Sequence, residues 1–195
     1  MTSTASVEAS PRWVALVGNP RPQSRTANLA SVVLSALGEL AGEGGPGGAA
    51  ASGVVLDLAE LVQSLGAPLG PDAQANYRDP LQAVVAAEVL VVASPTYKGS
   101  YTGLLKAFLD FVPGGRLRGA VAIPVMTVGA PAHTLAADVH LRPLLIELGA
   151  STPTSALVVG EDQLSDPAAA VATWVELNAS VLLPQLHRHA TATTS

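Results

Sequence analysis

The 195-residue chain contains no cysteine. That excludes a disulfide framework, thiolate metal sites and a cysteine nucleophile. Charge is scarce: 13% of residues are Asp, Glu, Lys or Arg, against about 25% in an ordinary soluble domain. Much of the surface is therefore expected to be Ala, Gly, Ser and Thr. A net charge of −5 offers no basic field for nucleic acid and little attraction to an anionic membrane. No run reaches the roughly 18 uninterrupted apolar residues of a membrane helix; the longest, around Val84 to Ala93, is broken by Glu88. The opening "MTSTASVEASPRW" has no basic segment followed by an apolar run, so no secretory signal is expected and cytoplasmic localisation is the default. No H-E-x-x-H, G-x-S-x-G or paired-carboxylate pattern occurs. No catalytic and no metal-ligating residue is assigned.

What is present is apolar and periodic. Hydrophobic residues make up 49% of the chain, enough for one substantial core. "WVALVG" (13–18), "VVLDL" (54–58), "EVLVVAS" (88–94), "GAVAIPVMTVG" (119–129) and "TSALVVG" (154–160) read as five continuous apolar strands, the first of them buried on both faces. Helical periods separate them. Leu29, Val32, Val33, Leu37 and Leu40 form one stripe after strand one, with Ser24 or Thr26 as the N-cap. Further helices are expected over 79–87, 102–112 and 132–148. In the last helix Val171, Trp174, Val175, Asn178, Val181 and Leu182 are expected inward. The stretch from strand two to about Asn76, with Pro68, Gly70 and Pro71, reads as irregular. Residues 1–12 and 189–195 are expected to be flexible ends of a domain spanning 13–188. The Gly/Ala tract 42–53 reads as a flexible loop. It contains "GPGGAA" but lacks the strand-turn-helix setting of a dinucleotide fingerprint.

Strands alternating with helices predict an α/β fold with a parallel sheet. Ligands of such sheets bind beyond the carboxyl ends of the strands, so the loops after strands one, three and four should build the site. The first, "GNPRPQSRTANLA", sets Arg21, Ser24, Arg25 and Thr26 at a helix start, an arrangement suited either to phosphate or to an ordinary capped turn. The second, "SPTYKGSYTG", gathers two of the chain's three tyrosines. They suit a flat ligand or packing on the next helix. The third, "MTVGAPAH", could meet a heterocycle edge or simply turn from strand to helix. Pro143 inside the 132–148 helix frees the carbonyl of Val139, which predicts a π-type bulge near Val139 and His140. Lys106 and Asp110, four apart, are expected to pair on the helix surface. His133, His187 and His189 are expected in ordinary helix-start or solvated settings.

"GNPRPQSRTANL", "SPTYKGSYTGLLKAFLDFVP" and "TVGAPAHTLAADVHLRPLLIELGA" together resemble the NAD(P)H-dependent FMN reductase family. The likeness is nearest to the reductase components of two-component alkanesulfonate or methanesulfonate monooxygenases. The resemblance implies a flavodoxin-like three-layer sandwich with a five-stranded parallel sheet, and FMN and NAD(P)H as cofactors. It implies that Arg21, Ser24 and Thr26 hold the FMN phosphate. Pro95, Thr96, Tyr97 and Lys98 would line the isoalloxazine ring, and Thr127, Val128 and Gly129 would meet its pyrimidine edge. It further implies a homodimer or homotetramer, assembled through the helix after the tyrosine loop, and a flavin-dependent monooxygenase as partner. Two departures stand out: the family usually has serine where Asn19 stands and often glycine where Val128 stands. Two other functions fit the same fold. One is an FMN-bound quinone or azo reductase; the other is a non-enzymatic electron carrier, although the acidic, aromatic-rich flavin surround of a carrier is missing.

Overall fold

The computed structural model describes residues 13–42 and 53–191. The expected flexible segment 1–12 and nearly all of the 42–53 tract lie outside them. Five short apolar runs form one sheet: β1 (Trp13–Val17), β2 (Val54–Asp57), β3 (Val89–Pro95), β4 (Val121–Val128) and β5 (Leu157–Gly160). All pairings are parallel and the order is β2-β1-β3-β4-β5. This is the doubly wound flavodoxin-like order, whose switch point falls between β1 and β3. Every residue of β1, β3 and β4 is buried, as expected of strands covered on both faces.

Alternating side chains of the strands feed two cores. On one face Ala15, Val17, Val91 and Val125 pack against α1 (Arg25–Gly42) and α7 (Ala168–Thr191). On the other, Val14, Leu16, Val92 and Met126 meet four helices. These are α2 (Leu58–Leu65), α4 (Arg78–Ala86), α5 (Gly103–Leu109) and α6 (Arg142–Glu147). The short α3 (Ala73–Asn76) precedes α4. Helix, sheet, helix: the three layers expected from the sequence are present. Pro124 occupies the interior of β4, opposite Val92. It lies before the β5 ladder begins at Val125 and after the Ala122 amide has bonded the Ser151 carbonyl. Its missing N–H therefore costs the sheet no rung.

Four expectations need correcting. The region after β2 is not irregular throughout: α2 starts at once, because the Asp57 carboxylate accepts the Ala59 amide at 2.9 Å and caps it. Leu58, Leu61 and Leu65 form its apolar stripe; the nearby Pro and Gly residues masked this period. The 132–148 helix is broken into a 3₁₀ turn (Pro131–His133), a π-helix (Ala137–Leu141) and α6. The π turn is the bulge expected from Pro143, and the Arg142 amide reaches back to the Ala137 carbonyl. Val181 is exposed, because the buried stripe of α7 runs Val171, Trp174, Asn178, Leu182. Finally, α7 continues to Thr191, past the boundary at 188.

Candidate functional site

The carboxyl ends of β1, β3 and β4 open into one cleft of about 420 Å³. Its lining includes Arg21, Ser24, Thr26, Pro95, Thr96, Tyr97, Thr127, Val128 and Gly129, together with Arg25 and Glu161. Nine of the ten candidate residues are thus brought together. Lys98 is not; it stands at the corner of the turn that carries Tyr97.

The first wall is the loop before α1. Ser24 caps the helix: its Oγ accepts the Ala27 amide at 3.1 Å, and its carbonyl accepts the Asn28 amide at 3.1 Å. Asn19 shapes the bend. Its Oδ1 accepts the Arg21 amide at 3.0 Å, and its Nδ2 donates to Thr26 Oγ1 at 3.1 Å. Thr26 Oγ1 also lies 3.3 Å from Thr127 Oγ1. Asn19, Thr26 and Thr127 therefore form a buried polar chain that braces α1 against the end of β4. The Thr26 hydroxyl is committed to this brace. What the residue leaves toward the cleft is its amide, one of the first N–H groups of the helix. Asp57, buried at the end of β2, also receives the Gln23 amide. Burial pushes its carboxyl above the usual carboxylate range, aided by nearby Glu60 and opposed by those amide bonds.

The second wall leaves β3. The Thr96 amide donates to the Thr127 carbonyl at 2.8 Å, tying this loop to β4. Tyr97 and Ser100 exchange backbone hydrogen bonds at 2.8 and 3.2 Å around Lys98 and Gly99, both with positive φ (53° and 80°). Two central residues with positive φ make a primed two-residue turn. Tyr97 emerges from it 44% exposed, beside the cleft. Tyr101 instead packs on the core beneath α5, and Tyr77 is wholly buried against Phe108. Thr102 closes the loop. It caps α5 by accepting the Leu105 amide at 3.2 Å, and its hydroxyl donates to the Gly18 carbonyl at the end of β1. Gly18 itself must be glycine: a Cβ there would lie 2.5 Å from the Leu105 Cβ. Lys106 and Asp110 pair on the surface of α5, as expected.

The third wall is the end of β4, where the Val128 carbonyl accepts the Glu161 amide at 3.2 Å. Glu161 Oε1 reaches across to the Arg25 guanidinium at 3.3 Å. The sequence sets Arg25 at this helix start but gives no sign of Glu161, since nothing local signals a contact between residues 136 apart. Among the described residues no group of three His, Asp or Glu side chains could hold a metal. None of the described helices is long and apolar enough to cross a membrane.

The donors fit FMN. Two arginines and a helix start line the cleft, donors of the kind that suit a phosphate. Thr96 Oγ1 is shut from solvent in the cleft wall with no hydrogen-bond partner. An unsatisfied buried hydroxyl costs about 1–3 kcal/mol, and a small side-chain shift that opened it to the cleft would let it meet the polar edge of a heterocycle. Tyr97 supplies an apolar face.

Comparison with known proteins agrees. The "FMN reductase (NADPH)" of Escherichia coli K12 is 40% identical over 80 residues, 41% of this chain and 42% of that protein. The "NADH-dependent FMN reductase SfnF" of Pseudomonas putida is 41% identical over 96 residues, 49% of this chain and 52% of that protein. The chain thus spans about half the length of these two relatives. The solved apo structure of an NADH:FMN oxidoreductase (EMOB) superposes with a TM-score of 0.64 at 32% identity, covering 89% of this chain and 84% of that one. Residues 11–163 match the family model described as NADPH-dependent FMN reductase. The chain belongs to the NADPH-dependent FMN reductase family.

Proposed function

We propose that this protein is an NAD(P)H:FMN oxidoreductase that supplies reduced flavin to a partner monooxygenase. The observation that carries the reading is one cleft that gathers a helix start, two arginines and an exposed tyrosine, with the unpartnered Thr96 hydroxyl in its wall. Bound FMN supplies the hydride acceptor, so the protein need contribute no acid or base. Its own residues bind and orient. Arg21, Ser24 and the amide of Thr26 take the phosphate. Pro95, Thr96 and Tyr97 flank the ring, with Lys98 held beside it on the turn. The backbone of Val128 and Gly129 meets the pyrimidine edge, while Thr127 holds the three walls in register through Thr26 and the Thr96 amide. A nicotinamide would stack on the open face of the bound ring, and packing would then fix the hydride distance.

The partner reading is supported by the likeness to enzymes named as NADH- or NADPH-dependent FMN reductases. Cytoplasmic action as a homodimer or homotetramer completes the proposal. An apolar outer face on the 135–146 segment, where Leu135, Val139 and Ile146 are exposed, supports self-association. The test combines the visible spectrum with NAD(P)H oxidation, with and without added FMN. A colourless protein that oxidises NAD(P)H only when FMN is added is the expected result. A yellow protein turning over quinones would replace it with the prosthetic-group reading. No oxidation with any acceptor would leave only the electron carrier.

A further inference from the structure

Glu161 is the one carboxylate among the described residues lining the cleft, which also holds the two arginines Arg21 and Arg25. Its backbone places it: the amide is held by the Val128 carbonyl at the end of β4. From there the side chain lies alongside Gly129, where an added Cβ would meet Cδ at 3.8 Å and Oε1 at 3.9 Å. It ends on Arg25 Nη2 at 3.3 Å, on the first turn of α1. Both side chains are more than half exposed, so the pair is weak and exchangeable. A carboxylate here has two effects on an incoming phosphate. It occupies Arg25, which would otherwise add a second cationic group beside Arg21 for the anion, and its own charge opposes the phosphate charge.

We infer that Glu161 sets the affinity of the site: its carboxylate competes with the flavin phosphate for Arg25 and keeps FMN binding weak enough for reduced flavin to leave. This rests on the FMN reading above. The competition is between charges, so it must be specific for flavins that carry phosphate. Riboflavin shares the ring contacts and lacks the phosphate, and should be indifferent to Glu161.

The experiment is Glu161→Gln in the full chain, with FMN and riboflavin each titrated by flavin fluorescence at low and high ionic strength. Glutamine keeps the shape and removes the charge. FMN should bind about twofold to fivefold more tightly to the variant, the range that exposed charge pairs support. Riboflavin affinity should stay the same, and the FMN gain should shrink as salt screens the charges. Equal tightening of both flavins would assign the effect to shape and overturn the inference. Unchanged or weaker FMN binding would overturn it too, the weaker result making Glu161 a support for Arg25. If wild type binds riboflavin and FMN equally poorly, the FMN reading itself fails and takes this inference with it.

Discussion

Replacing Thr102 by valine tests how the site is held to the sheet. Thr102 is 3% exposed, and its hydroxyl has two roles: it caps α5 at the Leu105 amide and donates to the Gly18 carbonyl. Valine has nearly the same volume, so no cavity opens. The lost cap costs about 1 kcal/mol. The buried Gly18 carbonyl loses its hydroxyl donor, which costs about 1–3 kcal/mol. The sum, about 2–4 kcal/mol, corresponds to a fall in melting temperature of about 4–16 °C for a domain of this size. Thr102→Ser keeps both hydrogen bonds and loses only a methyl group, so it should fall by about 1 kcal/mol. FMN affinity should drop with Thr102→Val, because the tyrosine turn hangs between Thr102 and the Thr127 carbonyl. Thermal melts followed by circular dichroism, with fluorescence titration of FMN, measure both. A Thr102→Val protein that melts like wild type, or a Thr102→Ser protein that falls as far, would refute the reasoning.

Tyr97→Ala should weaken FMN binding about threefold to tenfold, the scale of an aromatic contact, while Tyr101→Ala should mainly lower stability; reversed effects in a flavin titration would exchange their roles. Lys98 holds φ 53° at the first central position of its turn, where asparagine is preferred. Lys98→Asn should therefore raise the melting temperature by about 1–4 °C, and a fall would show that the lysine side chain is doing something the turn geometry does not capture. Asp57 sets a pH dependence. Burial raises its carboxyl in the folded state, so the folded chain holds that proton more tightly than the unfolded one. Wild type should gain stability relative to Asp57→Asn as pH falls from neutral through this raised value, and lose it again as pH rises. Melts of both proteins across the acidic range would show parallel curves if Asp57 were not shifted.

Much of the architecture could be read from the chain because its strands are continuous apolar runs. Such runs need no partner to be recognised, and their alternation with helices dictates a parallel sheet. Pro143 likewise announced its own effect, since a missing N–H acts wherever it stands. What escaped was tertiary. The brace from Thr26 to Thr127 joins residues 101 apart, and the bond from Thr102 to Gly18 joins residues 84 apart. Threonine gives no local sign of such bonds. Arg21 and Arg25 look alike in sequence, yet among the described residues it is Arg25 that meets a carboxylate, and that carboxylate arrives from beyond β5. Asn19 replaces a usual serine and turns out to organise the loop with both ends of its amide. Helix α2 was hidden because Pro68 and Gly70 dominate the reading, whereas the deciding residue is the cap at Asp57.

The central claim is that this cleft holds FMN for reduction by a nicotinamide. The most direct measurement is a single turnover without oxygen, mixing protein and stoichiometric FMN with NADH or NADPH and following the visible flavin absorbance. The account predicts rapid bleaching that depends on the protein and slows in Tyr97→Ala. Flavin that stays oxidised, or bleaches no faster than without protein, would contradict it.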